Sequence, residues 1–179
     1  MRLRFLSYAA ALAVVLVGAA AANAEVVQKR TVGPFRVELH VLPAEPFFSK
    51  QDVADKQIKQ GMEIEGGAAP VPPDADSHPN HHLVVHIFRK RSDTAVTDAT
   101  VTMSFVPVDA KGKPTGAAVE VPVVIMQAIG GGAASTHYGN NVVMPPGRYQ
   151  VTVGVNDKRL VFTVAATDAP MGHMDHMKM

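Results

Sequence analysis

The chain reads as an all-β protein, a sandwich of short strands. Two observations predict this. Apolar and polar residues alternate with a period of two in six or seven short runs, and clusters of Gly, Pro and Asp separate those runs. Cysteine is absent, so a hydrophobic core and not disulfides must hold the fold.

Residues 1–24 read as an export leader. Arg2 and Arg4 precede an apolar run from Tyr8 to Ala21, and Ala22-Asn23-Ala24 supplies the small residues a signal peptidase cuts after. The run is shorter than the roughly 20 residues needed to span a bilayer, so cleavage is expected in place of anchoring. The mature chain then begins at Glu25 as one domain over 25–167, about 155 residues including the tail, which is enough for one core. The product is expected to be soluble in a periplasm.

Phe35, Val37, Leu39 and Val41 alternate with Arg36, Glu38 and His40, a half-buried strand pattern. Phe48 to Gln60 breaks the rhythm. Ser49 as N-cap and Gly61 as stop predict a short helix there, an insertion in the sandwich. Gly66 to Asn80 is rich in Gly, Ala, Pro and Asp and reads as a loop. Leu83, Val85 and Ile87 then alternate with His82, Val84, His86 and Phe88. Thr100–Val108 and Val119–Met126 follow the same rule, with Pro122 marking an edge or bulge. Gly147–Val155 and Arg159–Ala165 flank Asn156-Asp157-Lys158, a hairpin turn. The Pro145-Pro146-Gly147-Arg148-Tyr149 stretch entering that hairpin fits either a Greek-key tyrosine corner or a plain turn with a buried tyrosine. From about Thr167 onward no core pattern remains, and a disordered tail is expected over 168–179.

Without Arg2 and Arg4 the chain carries 15 Lys and Arg against 16 Asp and Glu, a formal charge of −1. No basic stripe or basic-aromatic repeat is present, which argues against a nucleic-acid partner. The run Gly130-Gly131-Gly132 is not a phosphate loop, because neither Gly-Lys-Ser nor Gly-Lys-Thr follows.

Histidine placement carries the functional signal. His78, His81, His82 and His86 crowd one stretch, His137 follows a glycine run, and His173 and His176 alternate with four of the chain's nine methionines. Without cysteine, a transition-metal site must use imidazole, thioether and carboxylate, and imidazole with thioether suits copper. Residues four apart on a strand lie about 13 Å apart, so His82 and His86 need partners from other strands to bind an ion. Met126 and His137 are the natural complements, giving His82, Met126 and His137 as the primary set.

Each has a plainer reading. Met126 follows Val123, Val124 and Ile125 and alone reads as packing. His86 fits a hydrogen-bonded histidine under a loop as well as a ligand. His78 and His81 fall in a polar loop where solvated imidazole is the default. His137 sits in the loop 130–139 and lacks apolar periodicity around it, which favours function. The tail fits either a cuprous-ion collector or a solvated terminus.

HHLVVHIF at 81–88 and STHYGNNVVMPPGRYQVTV at 135–153 resemble the periplasmic copper-binding proteins associated with bacterial high-affinity iron uptake. The resemblance covers roughly His82 to Val155. It implies an Ig-like Greek-key sandwich, a homodimer, copper held by His82, Met126 and His137, and a partnership with an inner-membrane iron or copper transporter. Gly61-Met62-Glu63-Ile64 resembles the family's N-terminal segment and makes Met62 and Glu63 reserve ligands. The chain departs from the family strand where carboxylates would stand: Val84 and His86 occupy those positions. Oxygen ligands for ferrous or manganous ion are lost with them, so copper is expected more than iron.

Three function classes follow: a periplasmic copper-binding protein serving iron uptake or copper handling, a structural sandwich with incidental histidines, and a copper-dependent oxidase of metal ions. No hydrolytic triad is present, since Ser135, His137 and Asp109 lack a readable catalytic spacing. Metal release is expected as imidazole protonates near pH 6.5.

Overall fold

The computed structural model describes residues 26–65 and 78–167. The expected leader, most of the expected 66–80 loop and the expected 168–179 tail lie outside the described residues.

Two packed sheets form an all-β sandwich. The strands are β1 (Val26–Val32), β2 (Phe35–Pro43), β3 (Phe47–Phe48), β4 (Met62–Ile64), β5 (His81–Arg89), β6 (Val101–Pro107), β7 (Val119–Val121), β8 (Val124–Ala128), β9 (His137–Val142), β10 (Gly147–Val155) and β11 (Lys158–Ala166). The larger sheet runs β1-β2-β5-β9-β8-β4-β3 and the smaller β11-β10-β6-β7. All pairs are antiparallel except β3 with β4. The chain changes sheet after β5, β7 and β9, so sequence neighbours are divided between the layers.

The period-two pattern decides which side chains meet. Val37, Leu39 and Val41 of β2 and Leu83, Val85 and Ile87 of β5 face the smaller sheet. There they join Met103, Phe105, Val151, Val153 and Phe162 in one buried cluster. Tyr149 makes the corner: its hydroxyl donates to the Pro145 carbonyl at 2.7 Å and its ring packs edge-on against Phe105.

Three expectations need correction. The helix α1 (Lys50–Lys56) does begin at Ser49, whose hydroxyl accepts from the Asp52 N–H at 3.0 Å, but it ends at Gln57 in the left-handed region and not at Gly61. Gly61 instead turns the chain into β4 at φ 109°, where a Cβ would crowd the Phe48 ring and the Pro46 carbonyl. The single strand expected over Val119–Met126 is two strands in different sheets. Pro122, which lacks the N–H a continuous ladder needs, stands at the crossing. Finally, His137 does not sit in a loop: it opens β9, after a 3-10 turn at Gly132–Ser135.

Candidate metal centre

The outer face of the larger sheet carries the histidines. His82, Val84, His86 and Phe88 point away from the core because Leu83, Val85 and Ile87 point into it. Register then sets their neighbours: on β2, Leu42 stands opposite His82, His40 opposite Val84 and Glu38 opposite His86. On β9, Asn141 stands opposite His82 and Gly139 opposite Val84, and one step past the pairing His137 reaches the level of His86. Beyond β9, Met126 of β8 is paired with His137, and Ile64 of β4 with Met126.

Three of the sequence-derived residues thus share one buried patch. His82 and Met126 are 0% exposed and His137 2%. The His82 and His137 rings meet edge to face with centroids 5.6 Å apart, and the His137 and His86 centroids are 5.1 Å apart. A metal about 2 Å from an imidazole nitrogen lies about 3 Å from the ring centre, so two rings tetrahedrally placed on one ion have centroids about 5 Å apart. Both separations suit a shared ion. His137 fills the gap between His82 and His86 that their spacing along β5 leaves. Gly139 makes room for this, since a Cβ there would overlap the Leu83 carbonyl oxygen and crowd Val84.

Hydrogen bonding fixes two of these rings. Asn141 accepts from the Glu45 N–H at 3.2 Å and donates through Nδ2 to the Glu45 carbonyl at 2.7 Å, so its amide can face only one way. Its Oδ1 therefore accepts from His82 Nδ1 at 2.9 Å. His137 Nδ1 donates to the Ser135 carbonyl at 2.8 Å. In both rings the proton is held on Nδ1 and the Nε2 lone pair is left over. Both Nε2 atoms are buried with no hydrogen-bond partner among the described residues. His86 bonds the Thr136 backbone instead.

Burial, and the other imidazoles after it, hold these rings neutral. His82 is pushed down to about 4, first by desolvation and then by His137, and His86 to about 3 by desolvation and the facing His137, His40 and His82. Desolvation lowers His137 as well. A neutral imidazole is the form that ligates a metal.

The remaining candidates separate. Met62 joins Phe47 and Val124 around the outer-face cluster of Ile64, Val84 and Met126. Glu63, paired with Gln127, points to the opposite face from Met62 and Ile64 and lies near Lys50. His81 is not a loop histidine: it opens β5, is 4% exposed and bonds the Thr167 backbone on the side away from His82. His78 is exposed. His173 and His176 lie outside the described residues.

Sequence reading missed His40 and Glu38 as neighbours of the patch. The His40 ring is 4.8 Å from His86, and its Nε2 is 3.9 Å from Glu38 Oε2. Glu38 also pairs with Lys29 at 3.0 Å and with Arg36. Their alternation along β2 was the signal, but it also fits a polar strand face in water. Among the described residues no three His, Asp or Glu side chains converge as a metal cage, so imidazole alone does not complete a site. Met126, opposite His137, is the further donor the register supplies.

No protein-family model matches the chain, and no curated protein matches it.

Proposed function

We propose that the chain is a periplasmic copper-binding protein that serves copper handling or iron uptake, with His82, His137 and Met126 as its ligands. One observation carries the reading: two buried imidazole Nε2 atoms on adjoining strands, each with its Nδ1 proton fixed by a neighbour and its lone pair unspent. Leaving such an atom unpaired costs about 1–3 kcal/mol, a penalty that a bound metal removes. Thioether beside imidazole selects copper over hard cations, and Glu63 adds no oxygen on that face. By the family resemblance, the protein is exported through its leader, works as a homodimer and exchanges metal with an inner-membrane transporter.

Copper affinity of the full mature chain, of His137→Ala and of a chain truncated after Ala169 tests the reading. His137→Ala should weaken binding at least 100-fold, and truncation should leave a stoichiometric site. Loss on truncation alone, with His137→Ala binding normally, would place copper in the tail and sink the proposed site.

A further inference from the structure

Positive charge that the sequence disperses is gathered at one end of the sandwich. Three tight turns meet there: Val32–Phe35 between β1 and β2, Arg89–Asp93 after β5, and Asn156-Asp157 between β10 and β11. The Lys90 N–H donates to the Pro34 carbonyl at 2.8 Å, and Gly33 lies against the Lys158 side chain, 4.0 Å from a Cβ position to Cε. Arg30, Arg89, Lys90, Arg91, Lys158 and Arg159 are exposed on these turns and the strand ends beside them. With Lys29 and Arg36, they make eight of the chain's 17 Lys and Arg, against four of its 16 Asp and Glu: Glu38, Asp93, Asp98 and Asp157. Three of those carboxylates are engaged, Glu38 by Lys29 and Arg36, Asp93 by Arg36 at 2.7 Å and Asp157 by Lys158 at 2.7 Å. Arg89, Lys90 and Arg91 make no ion pair among the described residues. Elsewhere among the described residues six Lys and Arg stand against seven Asp and Glu, so the excess of positive charge lies on these turns.

We propose that this end docks on a membrane surface through anionic phospholipid headgroups. A protein partner would need an apolar or aromatic anchor at the centre of its contact. Among the described residues the large exposed apolar side chains are Val27, Val119 and Val143, and none lies on these turns. What lies between the cations is a shallow depression lined by Gly33, Pro34, Arg89, Lys90, Arg91 and Ser92. Guanidinium and ammonium groups around small residues fit phosphodiester oxygens, and a convex rim of turn tips fits a flat, diffuse layer of them. Docking this way orients the metal patch. Arg36 lies 4.3 Å over the Phe88 ring, which stacks on His86, so that end of the imidazole row turns toward the bilayer. The Thr167 end, at the His81 end of β5, turns from it.

The test is sedimentation of the full mature protein with vesicles of phosphatidylcholine alone or mixed with phosphatidylglycerol, at low and physiological salt. Each Lys or Arg near an anionic surface contributes about 1 kcal/mol, about fivefold, so K90Q/R91Q should reduce partitioning about 25-fold at low salt. Its folding is checked by an unchanged thermal midpoint. K111Q/K113Q removes the same charge from the exposed turn between β6 and β7 and should change little. Binding only to the phosphatidylglycerol vesicles, lost in the first pair and kept in the second, is expected. Equal loss in both pairs, equal binding to both vesicles, or binding to polyaspartate without binding to vesicles would overturn the proposal.

Discussion

Around β5 and β9 the larger sheet is buried on both faces, and the two faces spend that burial differently. On the inner face, Val37, Leu39, Leu83, Val85 and Ile87 pack without polar atoms, and at the end of β5 His81 buries an Nδ1 with no partner among the described residues. The one hydroxyl among them, on Tyr138, donates to the Val96 carbonyl at 2.8 Å and accepts from the Ala99 N–H at 3.1 Å. Across the same strands, one residue along, the outer face buries Glu38, His82 and His137 beside Met126, and leaves two imidazole Nε2 atoms without partners. Apolar burial, which dominates the inner face, lowers the free energy of folding; burial of unpartnered imidazole, concentrated on the outer face, raises part of it. Stripping water from imidazole, fixing each Nδ1 and leaving Nε2 bare carries a cost that the proposed metal would offset.

Adjacent residues of β5 give the sharpest way to break this contrast. Leu83→Ala removes core packing and should cost about 2–5 kcal/mol of stability, while copper affinity of the folded protein stays within a few fold. His82→Leu should do the reverse. It forfeits one hydrogen bond from Nδ1 but removes the orphaned Nε2, so metal-free stability should move by no more than about 1 kcal/mol while copper binding is lost. Urea unfolding and copper titration on both variants decide it. If His82→Leu destabilises the metal-free protein as much as Leu83→Ala does, the outer face is an ordinary core.

A smaller effect is expected one shell out. Asn141 orients His82 and takes its own orientation from Glu45. Partners that hold a ligating imidazole typically account for 10–100-fold in metal affinity. Asn141→Leu should therefore weaken copper by about that factor without abolishing it. An unchanged affinity would mean that the Asn141 contact is not needed to present His82.

Much of the sandwich was legible because period-two alternation survives in any strand with one dry face: β2, β5, β6, β10 and β11 were all read within a residue or two. The Ser49 cap was legible for a local reason, an oxygen placed three residues before an N–H. β3 and β4, of two and three residues, are too short to show any period. β9 was hidden by Gly139, Asn140 and Asn141, which disfavour strands in isolation and are kept here by close approach to β5 and by side-chain bonding. The same limit governs the patch. Which histidines crowd together was readable along β5, but the placing of His137 between His82 and His86, and of His40 beside them, comes from register across three strands. No spacing in the sequence encodes it. His40 read as part of the polar face of a half-buried strand, and nothing local announces the imidazole of His86 that register brings beside it.

Acid should expose the contrast by slope. In the unfolded chain an imidazole takes up its proton near pH 6.5, whereas burial keeps His82 neutral down to about 4 and His86 down to about 3, with His137 lowered as well. Between those values the unfolded state binds more protons than the folded one. The contribution of these groups is therefore complete above pH 6.5, falls as the pH drops through the window, and is exhausted below about 3. On the inner face Tyr138 is shifted upward and stays neutral throughout, while His81 at the end of β5 is lowered by desolvation and adds to the same slope. Under the proposed function, release of metal should fall below the ordinary imidazole value for the same reason. Each such group contributes a slope of about 1.4 kcal/mol per pH unit inside its window. His82→Leu should therefore flatten the stability profile between pH 6 and about 4 by close to one proton, measured as urea midpoints across that range. An identical profile would show that His82 titrates as it does in water, and that the outer face is not dry.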